Sequence, residues 1–188
     1  NVEHTVRGYE KAGAAGIQLE DQVFPKKCGH TPGRPVVSIE EAVAKIRVAV
    51  DSRDSKDFLI IARTDARNLH GLDEALRRAE AFAKAGADIL FVEAPETREE
   101  MEKICKTFDQ PLLANMVEGG ATPVLTAQEL QAIGYTIGLF PATGFLAFGA
   151  AMRSVYGHIH ATGSSAGMAT PLDDFKKHGR TIYHRFGE

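Results

Sequence analysis

A repeated spacing constrains this chain more than any other feature. Lys11-Ala12-Gly13-Ala14 leads to Glu20, and Lys84-Ala85-Gly86-Ala87 leads to Glu93 at the same separation. Gly134 precedes Pro141 at the separation that sets Gly13 before Glu20 and Gly86 before Glu93. Between each glycine and the residue it precedes lies a short apolar run: Ile17–Leu19, Ile89–Val92 and Ile137–Phe140. A helical pattern stopped by glycine, followed by a buried strand that ends in a functional-looking residue, is one βα unit. Strands that alternate with helices pair in parallel, and one such unit repeated around a ring is a (β/α)8 barrel.

The remaining elements read in the same way. Val2, Val6 and Tyr9 fall at helical spacing over residues 2–12. After the strand at 17–19 comes a long loop, Gln22 to Val37, rich in Gly and Pro. Ser38 caps a helix, with Glu41 three residues on as a capping box and Ala42, Ile46 and Val50 on its inner face. Further strands are expected at 58–62, 89–92, 112–114 and 137–140, with helices at 72–85, 96–108, 126–133, 143–160 and 173–186. The five strands end near residues 21, 63, 93, 115 and 141. A closed barrel takes eight strands and about 250 residues. The expectation is therefore a single domain over residues 1–188 that holds five βα units and C-terminal helices, with three units preceding Asn1. An open five-stranded sheet is the alternative; it would leave an apolar edge exposed.

In a parallel barrel the chemistry collects at the C-terminal ends of the strands. Glu20, Arg63, Glu93 and Asn115 all stand at such ends. The long loop adds Lys26, Lys27, Cys28, Gly29 and His30 in direct succession. Positive neighbours favour the thiolate of Cys28, and Gly29 lets the backbone approach a ligand closely. The plainer reading of each polar strand end is a loop cap. Four of them and a cysteine loop on one rim favour a site.

A net charge of −3 gives no nucleic-acid or anionic-membrane surface, and no apolar run reaches the length of a membrane span. Cys28 and Cys105 are the only cysteines, with no CxxC pair, which fits a reducing compartment, the cytoplasm by default. His158 and His160 read as surface or interface histidines, and Cys105 as a half-buried helix residue.

These motifs together resemble the isocitrate lyase/phosphoenolpyruvate mutase superfamily. The resemblance rests on Leu19-Glu20-Asp21-Gln22, Pro25-Lys26-Lys27-Cys28-Gly29-His30, Ala62-Arg63-Thr64-Asp65-Ala66, Phe91-Val92-Glu93-Ala94 and Ala114-Asn115-Met116-Val117-Glu118-Gly119-Gly120. It implies a (β/α)8 TIM barrel, a homotetramer (dimer of dimers) whose last helices, within 143–188, swap between subunits, and Mg²⁺ as cofactor with Mn²⁺ as the alternative. It also implies a loop that closes over a small dicarboxylate substrate. Glu20 resembles the acid that holds the metal through water, and an Asp-x-Asp pair expected upstream of Asn1 would supply the main ligands. Cys28 resembles the residue that protonates the departing carbanion, with Lys26 and His30 setting its charge state. Arg63 resembles the arginine that grips a carboxylate; Glu93, Asn115, Gly29, Gly119 and Gly120 resemble further substrate contacts.

The resemblance also ranks the branches. Mutases that form phosphonates carry Asn-Ser at Cys28-Gly29, which favours bond cleavage here. The carboxyphosphonoenolpyruvate mutase branch stays open. Methylisocitrate lyases place arginines at Leu146 and near Pro171, so a dicarboxylate of the 2,3-dimethylmalate kind fits better than a tricarboxylate. Pro141 stands where oxaloacetate hydrolases tend to have a hydroxyl, which ranks that activity lower. A reading of another class is an inactive fragment that serves as an assembly module.

Overall fold

The structure, a computed structural model, describes residues 1–29 and 31–168. Six helices alternate with five strands: α1 (Val2–Lys11), β1 (Gly16–Glu20), α2 (Ile39–Ser52), β2 (Leu59–Thr64), α3 (Arg67–Lys84), β3 (Ile89–Val92), α4 (Arg98–Thr107), β4 (Leu113–Asn115), α5 (Ala127–Ile133), β5 (Ile137–Leu139) and α6 (Thr143–Thr162). The expected helix at 173–186 lies outside the described residues. Residues 1–141 form one compact unit, and α6 belongs to a second that begins at Ala142. In the second, α6 carries no buried residue, and Phe145, Phe148 and Tyr156 are exposed.

All five strands run parallel and follow one another in chain order. β1 pairs with β2 and β2 with β3, while β4 pairs with β5. A parallel bridge between Leu90 and Leu112 joins the two groups, helped by the Leu90 amide, which donates to Pro111 at 3.0 Å. Every residue of β3 is buried, as expected for a parallel strand covered on both faces. Its alternation sorts two cores. Leu90 and Val92 pack with Ala62, Leu112 and Ala114 beneath α2, α3 and α4, whereas Ile89 and Phe91 face the other way and meet Leu113, Ile61 and Ile137.

Local chemistry sets the boundaries. Ser38 and Thr97 accept the N–H of the residue three positions on, and Thr126 with Glu129 makes a complete capping box. Gly134 takes φ 115°, left-handed backbone that ends α5. α3 begins five residues earlier than its apolar pattern suggested, because Arg67–His70 also winds helically and Gly71, at φ 81°, breaks it from the remainder. β2 runs two residues past the expected end, so Arg63 lies within the strand instead of beyond it.

Candidate active site

A strand sends alternate residues to one face. The inner apolar row therefore continues upward from Ile61 to Arg63, from Ile89 and Phe91 to Glu93, and from Leu113 to Asn115. Register places Glu20 beside Arg63, and Arg63 beside Phe91. Two residues of strand turn a hydrophobic core into a charged rim.

Arg63 is the centre of that rim and is only 7% exposed. Its Nε and Nη2 donate to the two oxygens of Asp65 at 2.8 and 2.9 Å, a two-pronged pair. Its Nη1 lies 3.2 Å from Glu93 Oε2, and its Nε lies 3.5 Å from Glu20 Oε2. The guanidinium also stands 5.0 Å from the centre of the Phe91 ring. Asn115 Nδ2 donates to Glu93 at 3.3 and 3.4 Å. Burial alone would lower the pKa of Arg63, but Asp65, Glu93 and Glu20 more than offset it and hold the charge firmly. Glu93 has no exposed surface, and burial pushes its carboxyl up despite the Arg63 guanidinium.

Beneath the rim, Asp21 joins strands, loop and helix. It accepts the Thr64 hydroxyl at 2.7 Å and the Asp65 amide at 2.9 Å, and pairs with Arg78 at 3.1 Å. Arg78 also donates to the Val37 carbonyl at 2.9 Å, so this buried acid fixes the far end of the loop as well. Burial raises the pKa of Asp21, while its hydrogen bonds and Arg78 oppose the rise.

The Gln22–Val37 loop lies on the rim. Lys26 Nζ reaches Glu20 Oε2 at 3.1 Å. Lys27 Nζ donates to the Gly33 carbonyl at 3.2 Å, and the Gln22 amide side chain bonds both the N–H and the carbonyl of Lys27 at 3.0 and 3.1 Å. Cys28 is exposed, and His30 lies outside the described residues. Gly29 is buried so tightly that an added Cβ would stand 2.5 Å from Arg63 Nη2 and 2.6 Å from Glu93 Oε1. Gly119, at φ 75°, turns the chain after β4, and the Gly120 amide donates to Val117 at 3.0 Å.

Gly29→Ala tests this closeness. Overpacking typically costs about 1–3 kcal/mol. The exposed loop can yield where the buried pair cannot. The variant should therefore keep its unfolding midpoint, while a lysine-specific protease cuts at Lys26 and Lys27 about tenfold faster.

Arg34, like Asp65, is a site residue that sequence reasoning passed over. Within Thr31-Pro32-Gly33-Arg34-Pro35 it has no periodicity and reads as a solvated loop charge. In the structure it is 1% exposed and its Nε lies 3.5 Å from Asp65 Oδ1. A charged residue between glycine and proline near a loop base was the available signal, and it does not distinguish a buried arginine from an exposed one.

Residues 1–160 match the phosphoenolpyruvate phosphomutase family. The chain belongs to that family. Its similarity to the family's lyases is substantial: 51% identity over 177 residues to a 2,3-dimethylmalate lyase of Eubacterium barkeri, covering 94% of this chain and 61% of that protein. A 2-methylisocitrate lyase of Aeropyrum pernix is 48% identical over 164 residues, covering 87% of this chain and 53% of that protein. The crystal structure of a 2,3-dimethylmalate lyase, described as a PEP mutase/isocitrate lyase superfamily member, superposes with a TM-score of 0.86 and 34% identity, over 98% of this chain and 64% of that one. The chain thus spans between 53% and 61% of the length of these two curated relatives. With this likeness, the ordered parallel strands are part of the phosphomutase-family (β/α)8 barrel and not a free-standing open sheet. Among the described residues, no helix is long and apolar enough to cross a membrane.

The rim fits part of a Mg²⁺ site. Glu20 Oε1 and Asn115 Oδ1 are buried without a hydrogen-bond partner, and hard oxygens of this kind suit Mg²⁺. Among the described residues, no three Asp, Glu, His or Cys side chains gather closely enough to hold a metal by themselves. The Asp-x-Asp pair that would complete the shell is absent from these 188 residues.

Proposed function

We propose that this chain carries the catalytic rim of a Mg²⁺-dependent carbon–carbon lyase acting on a small 2-hydroxy dicarboxylate. The observation that supports this reading best is the packing of Gly29 against the Arg63–Glu93 pair, which puts the loop of Lys26 and Cys28 on the strand ends that carry the fixed charges. The similarity to 2,3-dimethylmalate lyase supports the substrate class. So does the absence of guanidinium groups at Leu146 and Pro171, where a tricarboxylate would need charged clamps.

Arg63 and its neighbours bind and orient. A guanidinium has five N–H donors in a planar fork. Asp65 and Glu93 hold that fork in place, and its remaining donors serve a substrate carboxylate. Glu20 would hold Mg²⁺ through water, and the ion when bound would stabilise the enolate as a Lewis acid. As the C2–C3 bond breaks, the hydroxyl gives its proton to water and its carbon becomes the carbonyl of a 2-oxo acid. The electron pair passes to the carbon beside the other carboxylate, and the thiol of Cys28 gives that carbon its proton. Lys26, paired with Glu20, ties the loop to the rim while this occurs.

The test uses the protein carried to the length of its relatives, with Mg²⁺, against a panel of 2-hydroxy and 2-oxo dicarboxylates. Release of a 2-oxo acid from 2,3-dimethylmalate or a close alkylmalate is the expected outcome. Turnover of phosphonates alone would overturn the reading.

A further inference from the structure

Three carboxylates of the rim, Glu20, Asp65 and Glu93, face three cations among the described residues: Arg63, Lys26 and Arg34. Only Arg63 belongs to a strand. Lys26 and Arg34 both come from the loop, one from each of its arms. Lys26 is exposed and its pair with Glu20 is open to water, so it holds the loop weakly. Arg34 is different. It is 1% exposed beside Asp65, which has no exposed surface, and both its Nε and its Nη2 lack a hydrogen-bond partner. A guanidinium buried beside the carboxylates of Asp65 and Glu93, with two of its nitrogens making no hydrogen bond, is poorly explained as a device for stability alone. Its position offers an explanation. Asp65 Oδ1 lies 3.5 Å from Arg34 Nε and accepts Arg63 Nη2 at 2.9 Å, so one oxygen faces the loop and the central arginine together.

The loop base around Arg34 is ordered by backbone bonds. The Val23 amide donates to Pro35 at 2.9 Å and the Val37 amide to Asp21 at 2.8 Å, across an antiparallel bridge between Gln22 and Val36. These bonds close the base but leave residues 24–33 to span the rim. Arg34 is the first side chain inside the base that reaches down to a strand-end acid.

We propose that Arg34 is a positioning residue: its buried charge tethers the downstream arm of the loop to Asp65, the carboxylate that also holds Arg63. Arg34 touches no reacting atom. It acts through Asp65, keeping the loop that carries Cys28 and Gly29 in register with Arg63. The inference rests on reading this rim as the active site, but its test needs no turnover. Failure of the proposed reaction and failure of the tether therefore give different results.

The experiment compares Arg34→Gln and Arg34→Lys with the unaltered protein under native conditions, using a protease that cuts only after lysine. Both changes keep the cleavage sites at Lys26 and Lys27; the lysine that Arg34→Lys introduces precedes Pro35, so cutting is read only from the fragments that end at Lys26 and Lys27, whose release reports local opening of the loop. The expected result is cutting about tenfold faster or more in Arg34→Gln, and within about threefold of the unaltered protein in Arg34→Lys, because the tether needs a cation of similar reach. The overall unfolding midpoint of Arg34→Lys should stay in place, which separates a tether from general packing. Equal rates in the two variants would overturn the proposal, since charge would then not matter. If Arg34→Gln does not fold, Arg34→Lys decides alone: a rate near the original supports the tether, and tenfold faster cutting overturns it.

Discussion

Arg63→Met should lower the free energy of unfolding by about 3–5 kcal/mol, the usual cost of removing one partner from a buried charge pair. Asp65 would lose both prongs of its fork, and Glu93 the guanidinium 3.2 Å away. Neither acid is exposed to water. Methionine fills much of the volume, so the loss is electrostatic and not a cavity effect. Glu93→Gln should cost much less. Burial already opposes the charge on Glu93, and glutamine keeps the shape while removing that charge. Introduced together, the two changes should cost less than their sum, with a coupling of about 0.5–3 kcal/mol, because each relieves part of what the other leaves unpaired. Denaturant unfolding of the four proteins measures this. Additive costs would mean that Arg63 and Glu93 are neighbours without being partners.

Cys28→Ser, in the full-length protein, should keep Mg²⁺ and substrate binding nearly unchanged and lose turnover by at least about 10²-fold, the scale of a missing acid–base group. The hydroxyl matches the thiol in size but ionises far too high to serve. Cys28 is exposed and adjacent to Gly29, which itself touches the Arg63–Glu93 pair, so the thiol can reach a ligand on the rim. Cys105→Ser is the control. Burial and the nearby Glu102 push the Cys105 thiol up to about 11, and on α4 it packs against the helix-covered core and not on the rim. Both variants remove one thiol, so a difference between them is chemical. Normal turnover in Cys28→Ser would assign the proton to another group.

The fold was legible because its signals are periodic. Glycine-stopped helices and apolar runs at a fixed separation announced parallel units, and the strands follow in that order. Boundaries were less legible where a local break intervened, as at Gly71 in α3. The rim was legible in part. Glu20, Arg63, Glu93 and Asn115 stand at or beside strand ends as two acids, a guanidinium and an amide, and alternation and register place them on the inner row. The fork between Arg63 and Asp65 was not, since residues two apart on a strand share a face but stand side by side and do not normally close a two-pronged pair. Asp65 lies just past the end of β2, where the backbone leaves the strand and the carboxylate can swing back. Arg34 was hidden for a related reason. Loop residues follow no period, and its burial depends on where the chain returns to the barrel.

On the proposed reading, a carbanion forms on this rim and receives a proton from Cys28. Cleavage of 2,3-dimethylmalate by the full-length protein in D2O with Mg²⁺, followed by NMR of the products, tests it most directly. The expected products are pyruvate and propionate in equal amounts, the propionate carrying a single deuterium on the carbon beside its carboxylate, with both suppressed in Cys28→Ser. No 2-oxo acid released from 2,3-dimethylmalate or its alkylmalate analogues, or undiminished deuterated propionate from Cys28→Ser, would contradict it.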